Sequence, residues 1–169
     1  MKGIYLLLGS NLGDSRGMLK SAVELIELKL GKVVDCSSIY KTKAWGVENQ
    51  PDFLNQVVEI ESSLTPEKLL KEINKIEERL GRVRYVKWHS RIIDIDILYY
   101  GKKIVDTDDL KIPHPENQHR NFVLVPMAEI AADLIHPQLG LTQRELMENC
   151  SDTLDVIPMN TENKKKPTP

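Results

Sequence analysis

The residues in this chain best suited to chemistry lie between Arg82 and Tyr100. Asp94 and Asp96 are separated by one residue, and Ile93, Ile95 and Ile97 alternate with them. That is the period of a strand, with both carboxylates on one face and the isoleucines on the other. Two residues of strand rise about 6.5 Å, so the acids stand side by side. Like charges at that spacing repel. The pair calls for a cation between them, either a divalent metal or the arginines upstream, Arg82, Arg84 and Arg91. Mg²⁺ takes hard oxygen ligands and is held by one or two carboxylates plus substrate phosphates. Arginine grips phosphate oxygens in a two-pronged fork. Two acids on a rigid strand beside a basic loop therefore suit metal-assisted phosphoryl chemistry. A solvated strand face whose acids pair with neighbouring lysines explains Asp-x-Asp as well, and both readings stand at this level.

The elements that must position these residues follow from pattern. Gly3 to Leu8 is a continuous apolar run and reads as a buried strand. Gly9-Ser10-Asn11-Leu12-Gly13-Asp14 turns into a helix capped by Asp14 or Ser15. It lacks the spacings of the common phosphate-binding glycine loops, so it reads as a tight connection. Leu19, Val23, Ile26 and Leu30 form the buried stripe of that helix, and Gly31 stops it. Val33 to Tyr40 reads as the second strand. Lys41 to Asp52 is irregular and long enough to be functional or disordered. Phe53 to Ser62 is the third strand, with Phe53, Asn55 and Val57 on one face. Phe53 and Asn55 could border a planar ligand or be ordinary sheet residues.

Thr65-Pro66 starts a second helix, with its stripe at Leu69, Ile73, Ile76 and Leu80 and a stop at Gly81. Asn74 and Glu77 sit at the edge of that stripe. After the basic loop and the Asp94–Asp96 strand, Gly101-Lys102-Lys103 reads as a hairpin tip returning through Ile104 and Val105. Ile112-Pro113-His114-Pro115 is extended and presents one imidazole. Phe122-Val123-Leu124-Val125 reads as a short strand, Pro126 as a helix start, and Leu141 to Asn149 as a further helix. Residues 161–169, with Lys164-Lys165-Lys166, read as a disordered polar tail after a single domain over 1–160. The order strand, helix, strand, strand, helix, strand up to Tyr100 is that of an α+β fold. It predicts a ferredoxin-like βαββαβ core, a mostly antiparallel sheet with packed helices, extended by a C-terminal hairpin and helix region.

Composition narrows the function. A net charge of −2 provides no basic field for nucleic acid, and 5% aromatic residues do not make a base-stacking platform. Cys36 and Cys150 form no metal or redox spacing, which fits a reduced cytoplasmic protein. No stretch approaches transmembrane length. The expectation is a monomer with small-molecule substrates, no nucleic acid and no membrane.

Six words in order resemble 6-hydroxymethyl-7,8-dihydropterin pyrophosphokinases, a folate-pathway family. They are Gly9-Ser10-Asn11-Leu12, Gln50-Pro51-Asp52-Phe53-Leu54-Asn55, Gly81-Arg82-Val83-Arg84, Arg91 through Leu98, Ile112-Pro113-His114-Pro115, and Arg120-Asn121-Phe122. The resemblance implies transfer of the β and γ phosphates of ATP to the pterin's hydroxymethyl oxygen, with AMP leaving. It implies that Asp94 and Asp96 hold two Mg²⁺ ions and that Arg82 and Arg91 close over the phosphates as catalytic groups. It implies that Phe53 and Phe122 sandwich the pterin, with Asn55, Thr42 and Trp45 at its edge. Asn74, Glu77, Trp88, Ile97, His114 and Arg120 fall at positions around the nucleotide. The chain departs from the family at Lys43-Ala44-Trp45, where prolines and a leucine are frequent, and at His89-Ser90, where Gly-Pro is common. Asn74 stands for a frequent glutamine and Phe53 for a frequent tyrosine. The loop from Arg82 to Ser90 is expected to close over bound nucleotide.

Overall fold

The computed structural model describes residues 1–43, 51–81 and 92–159. Strand β1 (Ile4–Ser10) is buried at every position. It lies between β4 (Phe53–Glu61) and β5 (Asp94–Tyr100) and is antiparallel to both. Both of its faces are covered, which explains why it reads as a run of apolar residues instead of alternating. Beyond β4 lie two short strands, β2 (Lys32–Cys36) and β3 (Tyr40–Thr42), both paired antiparallel to it.

Helix α1 (Ser15–Lys29) starts at Asp14, whose Oδ1 accepts the Gly17 N–H at 3.0 Å. Helix α2 (Pro66–Arg79) starts at Thr65, whose hydroxyl accepts from the Lys68 N–H, with proline at the first helical position. Each cap satisfies an amide that the helix itself cannot. Leu19, Ala22 and Ile26 of α1 and Leu69, Ile73 and Ile76 of α2 pack on Ile4, Leu6, Leu8, Ile93, Ile95 and Ile97 in one core. Full burial of an aliphatic side chain contributes about 1.5–3 kcal/mol, so this layer is the main source of stability.

The opposite face carries a smaller core of Tyr5, Leu7, Val57, Leu98 and Tyr99. It is covered by Val123 and Met127 of α3 (Asn121–Ala131). Leu98 and Tyr99 share this face because β5 bulges there. Tyr5 pairs with Tyr99, but the next residue, Leu6, pairs with Ile97. The extra residue returns Tyr100 to the helix-side core.

Four readings from the sequence change. Val33 to Tyr40 is not one strand. Four steps from Cys36 to Tyr40 face three from Val58 to Asn55, so the ladder breaks at Ser37–Ile39. Ser37 replaces the lost ladder bonds. Its hydroxyl accepts the Val57 N–H at 3.0 Å and its own N–H reaches the Val57 carbonyl. Phe122–Val125 is not a strand but the first part of α3, so the helix begins ahead of Pro126. A four-residue apolar run has no distinguishing period, and the residue ahead of this helix, Arg120, makes no side-chain cap. The chain after Gly101 does not pair back on β5. Val105 belongs to β6 (Val105–Asp106), which pairs with β7 (Lys111–Ile112) as a separate ribbon. The helix expected over Leu141 to Asn149 is shorter, α4 (Gln143–Glu148), because Thr142 and Glu145 form a reciprocal cap. Strand β8 (Ile157–Pro158), which no sequence pattern announces, pairs with β3. The expected tail over 161–169 lies outside the described residues.

Gly31 shows how tightly α1 is delivered to the sheet. Its φ is +152°, and a Cβ there would lie 2.0 Å from the Glu61 carbonyl oxygen. Gly140 has a φ of +70° with open space around it. Gly31→Ala is expected to lower unfolding free energy by more than about 2 kcal/mol, and Gly140→Ala by about 1 kcal/mol. Urea denaturation of both variants measures this, and equal losses would refute the close-approach argument.

Candidate functional site

Register places the candidate residues in rows across one sheet face. Gly9 of β1 pairs with Asp94 on one side and Asn55 on the other, and Asn55 pairs with Tyr40. One row over, Asp96 pairs with Leu7, which pairs with Val57. Directly paired residues point to the same face, so Asp94, Asp96, Phe53 and Asn55 share the face on which α3 packs. Neighbouring strands are about 4.8 Å apart, which sets Asp94 and Asn55 about 9.6 Å apart with only Gly9 between them. A Cβ on Gly9 would come within 3.1 Å of Asn55 Oδ1. The missing side chain leaves a flat floor between an acidic wall and an amide wall.

The amide wall is built from β3 and β4. Asn55 and Thr42 are both buried, and Asn55 Nδ2 donates to Thr42 Oγ1 at 3.0 Å. That bond fixes which way the Asn55 amide faces. Phe53 pairs with Thr42 and is half-buried. Phe122 lies in the first turn of α3, half-buried, with the Arg120 guanidinium 5.6 Å from its ring centre. Arg120 also reaches Glu116 at 4.0 Å.

The turn after β1 does more than connect. Ser10 and Asn11 are buried. Ser10 Oγ donates to the Ile92 carbonyl, just ahead of β5. Asn11 Nδ2 donates to the Pro51 carbonyl, just ahead of β4, at 3.2 Å. These two side chains fasten the entrances of the strands that bear Asp94, Phe53 and Asn55. Sequence reasoning missed their role, and missed Gly9 as a floor. The available signal was a run of small polar residues placed between a buried strand and a capped helix.

Glu77 is 3% exposed, and its Oε2 accepts the Ile95 N–H at 3.3 Å. Among the described residues β5 has β1 as its only strand neighbour, so Glu77 covers an amide on the open edge of the sheet. The sequence placed Glu77 at the boundary of burial, whereas it is inside it. Asn74, one turn earlier on α2, is half-buried. Ile97 turns its side chain into the helix-side core, so what it offers to the edge is backbone. His114 N–H donates to the Leu98 carbonyl at 3.1 Å, and its ring Nδ1 accepts the Glu116 N–H at 3.2 Å. Burial, then the Arg120 charge, pushes the His114 pKa below the ordinary histidine range, while Glu116 and Asp94 pull the other way. Trp45, Arg82, Trp88 and Arg91 lie outside the described residues, as does the loop expected to close. Among the described residues no three His, Cys, Asp or Glu side chains gather as a complete metal cage.

A profile of the 7,8-dihydro-6-hydroxymethylpterin-pyrophosphokinase family matches residues 5–132. The chain belongs to this family. It is 45% identical over 149 residues to the 2-amino-4-hydroxy-6-hydroxymethyldihydropteridine pyrophosphokinase of Haemophilus influenzae, covering 88% of this chain and 92% of that one. It is 44% identical over 139 residues to the enzyme of that name from Aquifex aeolicus, covering 81% and 85%. Against the folic acid synthesis protein fol1 of Pneumocystis carinii it is 39% identical over 165 residues, 96% of this chain but 22% of that protein. Among solved structures, an HPPK-DHPS in complex with substrates superposes with a TM-score of 0.69 at 16% identity, over 87% of this chain and 43% of that one. A Plasmodium falciparum HPPK-DHPS gives 0.70 at 20% identity, over 88% and 45%. The chain thus spans less than half of those structures, and the likeness to them is one of fold.

The histidine geometry can be tested directly. A histidine with a lowered folded pKa contributes stability above pH 6.5 that is lost as pH falls, because the unfolded ring takes its proton first. In ligand-free protein, an NMR titration of His114 is expected to give a midpoint below 6.5, and Asp94→Asn is expected to move it lower still. A midpoint above 6.5 would mean that the two carboxylates outweigh burial.

Proposed function

We propose that this chain transfers a pyrophosphoryl group from ATP to the hydroxymethyl oxygen of 6-hydroxymethyl-7,8-dihydropterin. The hydroxyl oxygen forms a bond to the β phosphorus and loses its proton. The bond between that phosphorus and the α–β bridging oxygen breaks, and AMP leaves. One observation carries the reading in a member of this family: Asp94 and Asn55 flank Gly9 in a single row of the sheet. A flat heterocycle lying over the glycine would meet Asn55 and Thr42 at one edge and would turn its reactive substituent toward the aspartates.

The two walls divide the work. Asn55, oriented by Thr42, reads the heterocycle's edge, and Phe53 and Phe122 stack on its faces. Asp94 and Asp96 provide hard oxygen donors without a third protein ligand among the described residues. That donor set fits Mg²⁺, which completes its shell with phosphate oxygens and water, and two ions held there would neutralise polyphosphate charge. Arg82 and Arg91 are assigned to the phosphates from the sequence, where their charge would offset the charge of the transferring group. Glu77 and His114 bond to β5 at its open edge, and with Asn74 and Arg120 they are assigned to the nucleotide from the sequence. His114 Nδ1 accepts the Glu116 N–H, which leaves Nε2 as the ring nitrogen that would donate there.

We read the core as ferredoxin-like. The antiparallel order β5-β1-β4, with β2 and β3 together as the fourth strand, supports that assignment. We assign the chain as one domain over 1–160, monomeric and cytoplasmic. In support, no helix among the described residues is long and apolar enough to cross a membrane. Size-exclusion chromatography with light scattering would overturn the monomer if it gave twice the 19.3 kDa chain mass.

Incubation with ATP, Mg²⁺ and the pterin is expected to yield AMP, and ADP as the sole product would refute the assignment. Asp94→Asn and Asp96→Asn are each expected to lower kcat by about 100-fold or more, on the order of 3 kcal/mol, with melting temperature unchanged. Near-normal kcat at saturating Mg²⁺ would remove that aspartate from the mechanism.

The floor and the stack predict selective effects. Phe53→Ala and Phe122→Ala are expected to weaken pterin binding by at least about 0.5–1.5 kcal/mol while sparing ATP. Gly9→Ala, which pushes a methyl group against Asn55, is expected to do the same. Calorimetric titration with each ligand separates the two, and equal losses for both would point to general destabilisation.

A further inference from the structure

The family match ends at residue 132, yet the chain beyond it returns to the site. We propose that Asp152 is a positioning residue for the pterin stack, holding the first turn of α3 at a fixed height above the sheet. The inference rests on the reading of Phe122 as one face of that stack.

The first amides of a helix have no partner within it. In α3 the residue ahead of the helix, Arg120, makes no side-chain cap. The missing acceptor comes from 31 residues away, where Asp152 Oδ2 accepts the Asn121 N–H at 2.9 Å. The tie is double, since Asn121 Nδ2 also donates to the Asp152 carbonyl at 2.9 Å. The second carboxylate oxygen accepts the Leu154 N–H at 3.0 Å. Both oxygens are therefore engaged, and the carboxylate is locked in orientation at the positive end of the helix. Asn121 adjoins both Arg120 and Phe122, so the tie acts on the turn that carries them.

The other end of this segment is anchored on the opposite wall. Ile157 and Pro158 pair with Lys41 and Tyr40 of β3, and the Met159 N–H donates to the Ile39 carbonyl at 2.8 Å. Residues 152–159 thus strap the turn bearing Phe122 to the strand bearing Thr42. Between the anchors the strap walls a groove of about 430 Å³ with Lys41, Thr42, Lys43 and Asp52. The far half of α3 is held separately. Glu129 accepts from Ser38 N–H and Oγ and from the Tyr40 hydroxyl, at 2.7–3.1 Å. With the far half fixed, loss of the Asp152 tie would free the near end alone, which is the end that faces the ring.

A plain helix cap would contribute stability without altering ligand preference. The experiment compares Asp152→Ala, Asp152→Asn, Phe122→Ala and Thr142→Ala in the full chain. Thr142→Ala removes the cap of α4 and serves as a stability control. Calorimetric Kd values for the dihydropterin and for ATP, melting temperature and AMP formation are measured. Asp152→Ala is expected to raise the pterin Kd tenfold or more and to leave the ATP Kd within twofold. Asp152→Asn keeps one acceptor oxygen and is expected to fall between Asp152→Ala and wild type, and it carries the test if Asp152→Ala does not fold. Thr142→Ala is expected to leave the pterin Kd within twofold despite a lower melting temperature. Wild-type AMP formation with a weakened Phe122→Ala and unchanged pterin binding in both Asp152 variants would overturn this inference alone. Equal loss of pterin affinity in Thr142→Ala would overturn it in favour of general stability. A wild type that binds no pterin would overturn the functional reading and this inference with it.

Discussion

β1 is hydrogen-bonded along both edges and packed on both faces, so no residue in it can shift without moving two neighbouring strands. Every strand-borne candidate residue takes its position, directly or through β4, from that strand. Asp94 and Asn55 have no contact in sequence, yet each is set opposite Gly9 by the same backbone ladder. The apolar run from Ile4 to Leu8 is thus more than core. It is the ruler from which the acidic and amide walls are measured, and the turn that follows secures both with Ser10 and Asn11. Backbone hydrogen bonding limits each strand to a few discrete registers, and a slip of one residue would send both aspartates into the helix-side core.

The electrostatic layout follows from the same ladder. A buried polar side chain is costly unless it is hydrogen-bonded, and Glu77 meets that condition by accepting an amide from the exposed edge of β5. The acid therefore closes a sheet edge and ties α2 to the strand that bears the aspartates. His114 is held in the chain that crosses that edge, with its backbone on Leu98 and its ring nitrogen on Glu116. The Leu98 carbonyl also accepts from Asn117 Nδ2 at 3.0 Å, so the bulge residue anchors the segment from His114 to Asn117. An irregularity in β5 becomes the attachment point for the loop that presents the imidazole.

Much of this was legible in the residues. The alternation of Ile93, Asp94, Ile95, Asp96 and Ile97 placed the acids and the core correctly because a half-buried strand has an unmistakable period. The cap at Thr65 was readable, and that of α1 was narrowed to Asp14 or Ser15, because caps act within four residues. Apart from the local cap at Thr142 and Glu145, much of what escaped depends on a distant partner. The start of α3, Phe122–Val125, reads as a strand because its first amide is satisfied by Asp152, which no local window includes. The break between β2 and β3 depends on Ser37 bonding across to Val57. Gly9 gave no sign of its importance, since a glycine at a strand end resembles any turn until the register sets Asp94 and Asn55 on either side of it.

The short β8 has a further consequence for how the molecule meets others of its kind. Among the described residues it lies at the end of the sheet, with the Met159 N–H turned inward to Ile39. Backbone groups alternate in direction along a strand, so the nitrogen of Pro158 faces outward, and proline has no hydrogen there to give. A strand approaching from solvent finds two residues of edge and a missing donor. Glu77 occupies an edge amide at the opposite end of the sheet, on β5. Each margin formed by the described residues thus discourages addition of another strand, by chemistry as well as by length.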